Sequence, residues 1–419
     1  MASEVDRLFE PGVVECPHDY LRELREHDPV HRISGTSAFL VSRLELIKEA
    51  VADPSRFSSR TSEFLYCDRT GRAGLRPPID MGGQDEDTPG ILATADPPDH
   101  ARHRRQLSQL LSVSAVAERE AEYRRLVDDT LTPALAAGRV EWMGEVAETL
   151  PMLMVTRLLG VADKEAPVLK AQGYASVELI GGFVSDEERP ALQATLVELG
   201  PAIAAFSAAA ASESPDLGTF AATFASGVAA GEIDELEAIG MIATLLAAGG
   251  ESTTSLLGAG VRAMAEDPKL QDRLRHDLGL VPTFVEEVCR VEPPFRGHYR
   301  RVTADTTLGG VPLPKGSRLV LVWPAANRTD QLGGDAIDLE RSRPRRHVGF
   351  GWGPHLCVGA PLARMEARVT FEQLLSRTTS FAVETDAEVR HHPSLMVRRL
   401  AHLPLTLASR TTAEVASGS

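Results

Sequence analysis

Cysteine is scarce and scattered. Cys16, Cys67, Cys289 and Cys357 include no Cys-x-x-Cys pair, so neither a disulfide framework nor a structural zinc site is expected. Any special cysteine must owe its chemistry to its own surroundings. Positive charge is also short: 44 Lys and Arg stand against 59 Asp and Glu, a formal net charge of −15. A chain this acidic is a poor general binder of nucleic acid or of anionic membranes. The uncharged runs, such as residues 199–212, fall short of the ~18 residues a membrane span needs. The first residues, Met1-Ala-Ser-Glu-Val-Asp-Arg7, carry no basic segment followed by an apolar one. No signal peptide is visible, and a cytoplasmic location is expected. No His-Glu-x-x-His pattern and no P-loop occurs. What remains is 419 residues, 43% hydrophobic, enough for a large core. With no repeat and no dividing linker, the expectation is one domain over 1–419, with flexible tails at about 1–15 and 410–419.

Helical periodicity in Ala, Leu, Glu and Arg dominates, so the class is mainly α with small sheet pieces. Residues 30–33 and 38–41 flank Ser34-Gly-Thr-Ser37 and predict a hairpin. Residues 308–323 return to a strand-like pattern, with turns at Gly309-Gly310 and Pro314-Lys-Gly316. Residues 62–90 are rich in Gly, Pro and Asp and too long for an ordinary connection. They read either as a disordered surface insertion or as a loop facing a substrate. One helix stands apart. Asp234 and Glu237 have capping-box spacing, and nothing stops the helix before Asp267-Pro268. A helix of about 32 residues would run ~48 Å and cross the whole molecule. Its middle, Ala248-Gly-Gly-Glu-Ser-Thr253, breaks the rules of a buried helix. Each glycine costs ~1 kcal/mol relative to Ala, and Glu251 is expensive to bury without a partner. The segment is either a kinked core helix or a site.

The most informative stretch is Phe350-Gly-Trp-Gly-Pro-His-Leu-Cys-Val-Gly-Ala360. Cys357 lies among glycines just before a helix start that contains Pro361. The positive end of a helix dipole and the free backbone N–H groups there favour a thiolate. Glycines let the backbone approach something flat or large. Such a thiolate is a nucleophile or a metal ligand. For a nucleophile, His355 is near, but no further partner of a triad is evident.

This run resembles the haem-binding loop of cytochromes P450, Phe-x-x-Gly-x-x-x-Cys-x-Gly, at Phe350, Gly353, Cys357 and Gly359. Three further segments resemble family signatures in the expected order. They are the 96–105 segment Asp-Pro-Pro-Asp-His-Ala-Arg-His-Arg-Arg, the central Ala248-Gly-Gly-Glu-Ser-Thr253, and Glu287-Val-Cys-Arg290. The resemblance spans roughly residues 20 to 405. It implies the triangular, mainly helical P450 fold, with haem b (iron protoporphyrin IX) between the long central helix and the Cys-loop helix. It implies a monooxygenase that inserts one oxygen atom of O2 into a small or medium organic substrate. Electrons would come from a ferredoxin or flavodoxin reduced by an NAD(P)H reductase. Other outcomes of a haem-thiolate site are oxidative coupling, dehydration or peroxygenation; a non-catalytic haem sensor is a further alternative.

The resemblance also implies roles. Cys357 is the iron ligand, with Phe350 packed near the sulfur and Gly359 closing the loop. His100, Arg104, Arg300 and His355 match propionate-holding positions, although Arg301 adjoins Arg300. Glu287 and Arg290 form a structural pair, joined by a third residue from the segment 327–341. Arg341 is expected there rather than Arg328, although Ile337 replaces the usual Phe. Glu251 and Ser252 match the acid–alcohol pair that supplies protons, with Ser in place of the usual Thr and Thr253 as stand-in. Candidate substrate-lining residues are Ala248, Gly249, Phe295, His298, Leu395 and Met396. Arg341, Arg343, Arg345, Arg346 and His347, with Arg102 and Arg105, crowd near the cysteine and suggest a docking face for an acidic ferredoxin.

Overall fold

The computed structural model describes residues 6–78, 90–197, 199–214 and 216–410. Its axis is the helix Glu235–Glu266. The Asp234 side chain accepts from the Glu237 N–H, and Glu237 returns the bond to the Asp234 N–H, so the expected capping box closes. Helices Thr149–Leu159, Ala166–Ile180, Val281–Val291 and Ala360–Arg377 pack around it. Its double glycine is a packing device. A Cβ on Gly250 would sit 2.2 Å from the Met152 sulfur, and one on Gly249 would sit 2.8 Å from a Val155 methyl. The helix Thr149–Leu159 therefore crosses tightly there. Gly249, expected to line a substrate cavity, faces that helix instead.

The main sheet has five strands, ordered Val30–Arg32, Ala38–Val41, Arg318–Val322, Gly297–Val302 and Phe57–Ser58. The first two form the expected antiparallel hairpin. The strand at 318–322 runs parallel to 38–41 and antiparallel to 297–302. Period-two alternation separates its faces. Ala38, Leu40, Tyr299 and Val320 enter one hydrophobic cluster, and Phe39, Val41, Val302, Leu319 and Leu321 enter another.

Two expectations need correction. Residues 6–15, read as part of a flexible tail, fold as Arg7–Phe9 and Pro11–Glu15. Leu8, Phe9 and Val13 are buried against Leu40, Tyr299 and Val320, which a reading by chain position could not foresee. Residues 1–5 and 411–419 lie outside the described residues. The long segment 62–90 contains a hairpin, Phe64–Cys67 with Ala73–Arg76; residues 79–89 lie outside the described residues. The segment Arg189–Ala210, whose described parts are the helices Arg189–Val197 and Gly200–Ala210, is by length and composition alone apolar enough to cross a membrane, which the uncharged-run reading had not anticipated. Its first part, Arg189–Val197, packs along Ala166–Ile180 within the fold.

A buried ion network ties the helix Val281–Val291 to the loop before the cysteine. Arg290 donates through Nε and Nη2 to the two Glu287 oxygens, at 2.9 and 2.7 Å, and both side chains are fully buried. Arg341 donates to Glu287 at 2.7 Å, and the Asp338 N–H adds a fourth bond at 3.0 Å. The remaining Arg290 N–H groups reach the Gly334 and Ala336 carbonyls. Arg328 pairs with Glu292 and Asp335 instead. Removing one partner leaves an uncompensated buried charge, at ~3–5 kcal/mol. Glu287→Ala should therefore give a poorly folded protein that melts far below the parent by circular dichroism. A melting temperature equal to the parent's would show that the pair does not hold the fold.

Candidate functional site

The cysteine loop is shaped by its backbone. Gly351 and Gly353 have φ of +78° and +69°, a region that side chains disfavour. A Cβ on Gly353 would also meet Val51 at 2.7 Å. The turn brings the Cys357 N–H to the Phe350 carbonyl at 2.9 Å. Cys357 is exposed and directly precedes Ala360–Arg377. Burial of the thiol against surrounding protein pushes its pKa up. The Gly359 and Ala360 N–H groups and the Arg104 and Arg364 charges pull it back towards thiolate. Phe350 is half-buried, with the Arg364 guanidinium 4.4 Å from its ring centre. Arg364 is held in turn by Glu286 at 2.6 Å, and His347 holds the other Glu286 oxygen at 2.9 Å. Burial would raise the Glu286 carboxyl, but these partners prevail and hold it at about 2.

Beside the loop, side chains rich in N–H groups converge without matching acids. His100 and Arg300 are buried. The His100 and His355 rings lie 3.9 Å apart, and His355 contacts the Ser59 hydroxyl at 3.1 Å. Arg104 donates to the Leu356 carbonyl at 2.7 Å. The only hydrogen bond from the Arg300 side chain among the described residues goes to the Tyr299 carbonyl. Asp96, the acid that acts electrostatically on Arg300 and His100, already accepts from the Ser58 hydroxyl at 2.5 Å and the Ser59 N–H at 2.8 Å. The crowding is visible electrostatically. Burial, then Arg300 and His100, lowers His355 to about 3, and burial lowers Arg300 to about 10.

Across the site, Ala248 is exposed at mid-helix and Ser252, one turn on, is half-buried. One face of an otherwise buried helix is thus open. The Ser252 hydroxyl donates to the Ala248 carbonyl at 2.6 Å. Thr253 is buried and its side chain interacts with the buried Glu366 carboxyl of the helix Ala360–Arg377, so the expected stand-in points away from the open face. Glu251 is buried; Arg399 donates to one oxygen at 3.0 Å, and the other oxygen has no partner. Burial raises this carboxyl to about 7, against the pull of Arg399. Arg399 also bonds Glu148, which pairs with Lys170, and it stacks on Tyr174. Sequence reasoning missed Arg399 because 148 residues separate it from Glu251. The one available signal was that a buried Glu demands a cation.

Leu395 and Met396 are buried with Leu65, Val177 and Tyr299, and Ala247 and Phe295 pack at the edge of that cluster. His298, grouped with them from sequence, bonds Trp323 instead. A cleft of about 830 Å³ lies apart from Cys357, between the 64–76 hairpin, residues 183–187 and residues 388–402.

The family model for cytochrome P450 matches residues 220–405. Cytochrome P450 144 of Mycobacterium tuberculosis is 36% identical over 411 residues, 97% of this chain and 92% of that protein. The chain belongs to the cytochrome P450 family. Erythromycin C-12 hydroxylase of Saccharopolyspora erythraea is 30% identical, over 93% of this chain and 94% of that protein. The solved structure of CalO2 superposes with a TM-score of 0.84 at 26% identity, covering 97% of this chain and 99% of that one. This P450 is accordingly an oxidoreductase, a monooxygenase, and its cofactor is haem b. The residues present fit that cofactor. The P450 offers an exposed thiol beside an open helix face. It also offers a group of donors whose acid, Asp96, is already engaged, which two propionates would complement.

Proposed function

We propose that the Cys357 thiolate holds the haem iron and that the protein oxygenates a small or medium organic molecule. The observation that carries this reading is the exposed Cys357 thiol with the Gly359 and Ala360 N–H groups directed at it. Haem bound this way activates dioxygen, the thiolate pushing electron density towards O–O cleavage. Arg364, stacked on Phe350, would tune the sulfur through its charge. His100, Arg104, Arg300 and His355 hold the propionates. Ser252 holds a proton at Oγ on the open face. Glu251, with a carboxyl near 7, resupplies it through a side chain that Arg399 orients. A relative named for hydroxylating erythromycin at C-12 supports a medium-sized substrate. Titration of candidate molecules against the haem spectrum identifies it. The enzyme acts as a soluble, cytoplasmic protein.

Cys357→His should keep some haem, while the reduced protein with carbon monoxide loses the red-shifted Soret band of thiolate ligation. An unchanged spectrum would sink the assignment. Ser252→Ala should divert electrons from product to peroxide, and Thr253→Ala should do so less. The reverse order, measured as product formed per dioxygen consumed, would assign the relay to Thr253.

Electrons arrive from a ferredoxin or flavodoxin, itself reduced by an NAD(P)H reductase, on the cysteine side. Of the basic residues there, Arg102, Arg341 and His347 serve internal pairs with Glu237, Glu287 and Glu286, and Arg345 also lies 3.6 Å from Glu286. Arg105, Arg343, Arg345 and Arg346 are exposed, beside exposed Trp352 and Leu356. An acidic partner steered by this patch responds to salt, since the Debye length falls from ~10 Å at 0.1 M to ~3 Å at 1 M. Arg345→Glu with Arg346→Glu should slow first-electron transfer at sub-saturating ferredoxin and flatten its salt dependence. Rates indifferent to both salt and the double change would remove the docking face.

A further inference from the structure

His298 was grouped with substrate-lining residues, yet its surroundings tie it to the donor group beside the cysteine loop. It lies on the strand Gly297–Val302, opposite Leu321, with Arg300 opposite Leu319. Strand alternation puts His298 and Arg300 on one face and Tyr299 on the other. Tyr299 enters the cluster with Leu8 and Leu40. His298 also acts electrostatically on His355, so it adjoins the same group from a second direction.

The ring is locked. Its centre lies 5.4 Å from that of Phe295 and 5.6 Å from that of Trp323. The buried Trp323 Nε1–H donates to His298 Nδ1 at 2.8 Å. An indole N–H can only donate. Nδ1 must therefore be bare, and the ring proton must sit on Nε2. Burial, and secondarily Arg300, lowers the ring's pKa to about 4, so one proton is all it carries near neutrality. Nε2–H is a donor with no acceptor among the described residues. Its residue is half-buried, so the donor is not sealed off.

We infer that His298 Nε2–H is a further donor to the haem propionate held by Arg300, and that Trp323 is the positioning residue that fixes its tautomer. The inference rests on the haem reading above. A neutral donor here has a physical logic. Beside the Arg300 and Arg104 charges a protonated His298 would add repulsion, whereas a neutral N–H adds a hydrogen bond to a carboxylate without adding charge. Trp323 enforces that choice, because protonation at Nδ1 would cost its hydrogen bond.

The competing acceptor for this N–H is a polar group of the substrate, so the test uses substrate-free holoprotein. The reduced carbon monoxide spectrum is recorded first. Haem transfer to excess apomyoglobin and the propionate bending band in resonance Raman are then measured. The proteins compared are the parent, His298→Leu, His298→Gln and Trp323→Phe. Losing a hydrogen bond to a charged acceptor should make His298→Leu release haem about tenfold faster and shift the propionate band. Gln can place an amide N–H near the Nε2 position, so His298→Gln should stay within about twofold of the parent. Trp323→Phe keeps His298 but frees its tautomer; it should release haem a few-fold faster, with the band moving towards that of the Leu variant. Release and band both unchanged in His298→Leu would overturn the inference. So would an effect confined to substrate binding, read in a separate titration of substrate against the haem spectrum, which would make substrate the acceptor. An absent thiolate band in the parent would overturn the Cys357 assignment instead, and the release rates would still decide His298.

Discussion

Cations and N–H donors resist being gathered without an acceptor, and this protein gathers them. Arg104, Arg300, His100, His355 and His298 come from a helix, a strand and a loop to one place, and Asp96, the acid that acts on Arg300 and His100, also accepts from Ser58 and Ser59. Burial and mutual repulsion lower the basicity of His355 and His298. Without an anion such an assembly costs stability; with two carboxylates it is a binding site. The parallel pairing of residues 318–322 on 38–41 and the antiparallel pairing with 297–302 aim Arg300 at this place. The Arg104 bond to the Leu356 carbonyl joins the same group to the cysteine loop.

Charges elsewhere are paired with care, and the contrast is informative. Glu287 accepts four hydrogen bonds, and Glu286 holds Arg364 and His347. These adjacent carboxylates face different tasks. Glu287 anchors the segment 334–341, and Glu286 braces the Phe350 side of the cysteine loop. In both, pairing outweighs burial and the carboxyls stay ionised. Glu251 is the opposite case. One cation shared with Glu148 does not offset its burial, and the group is left near neutrality in both senses. In the proposed relay, a carboxyl that gives and takes protons near pH 7 would use this balance.

Much of this was legible in the residues. The capping box, the hairpin at 30–41 and the glycine-flanked cysteine are local patterns, and local patterns survive folding. Glu287, Arg290 and Arg341 were readable as a set because two of them share a helix face and the third follows in a family segment. Partners brought together by the fold were not. Arg399 reaches Glu251, and Trp323 reaches His298, across chain separations that carry no spacing rule. The double glycine was noticed for the right anomaly and given the wrong cause. It relieves a clash with Met152 and Val155, and the open face belongs to Ala248 and Ser252. The buried segment Pro11–Glu15 carries too short an apolar pattern to separate it from a frayed end.

The helix Glu235–Glu266 keeps two buried carboxyl environments apart by rotation alone. Successive residues differ by ~100° about the axis. Glu251 turns to Arg399 and the Glu148–Lys170 pair, while Thr253 turns to Glu366. Ser252, between them, turns to neither, and its hydroxyl returns to the Ala248 carbonyl on the open face. The missing methyl of Ser relative to Thr costs rotamer stiffness. The back-bond to Ala248 restores part of it by choosing one rotamer. A hydroxyl at this position therefore lies on the open face, bonded to the Ala248 carbonyl, while its sequence neighbours face protein. Moving the hydroxyl one residue along the chain would bury it against Glu366.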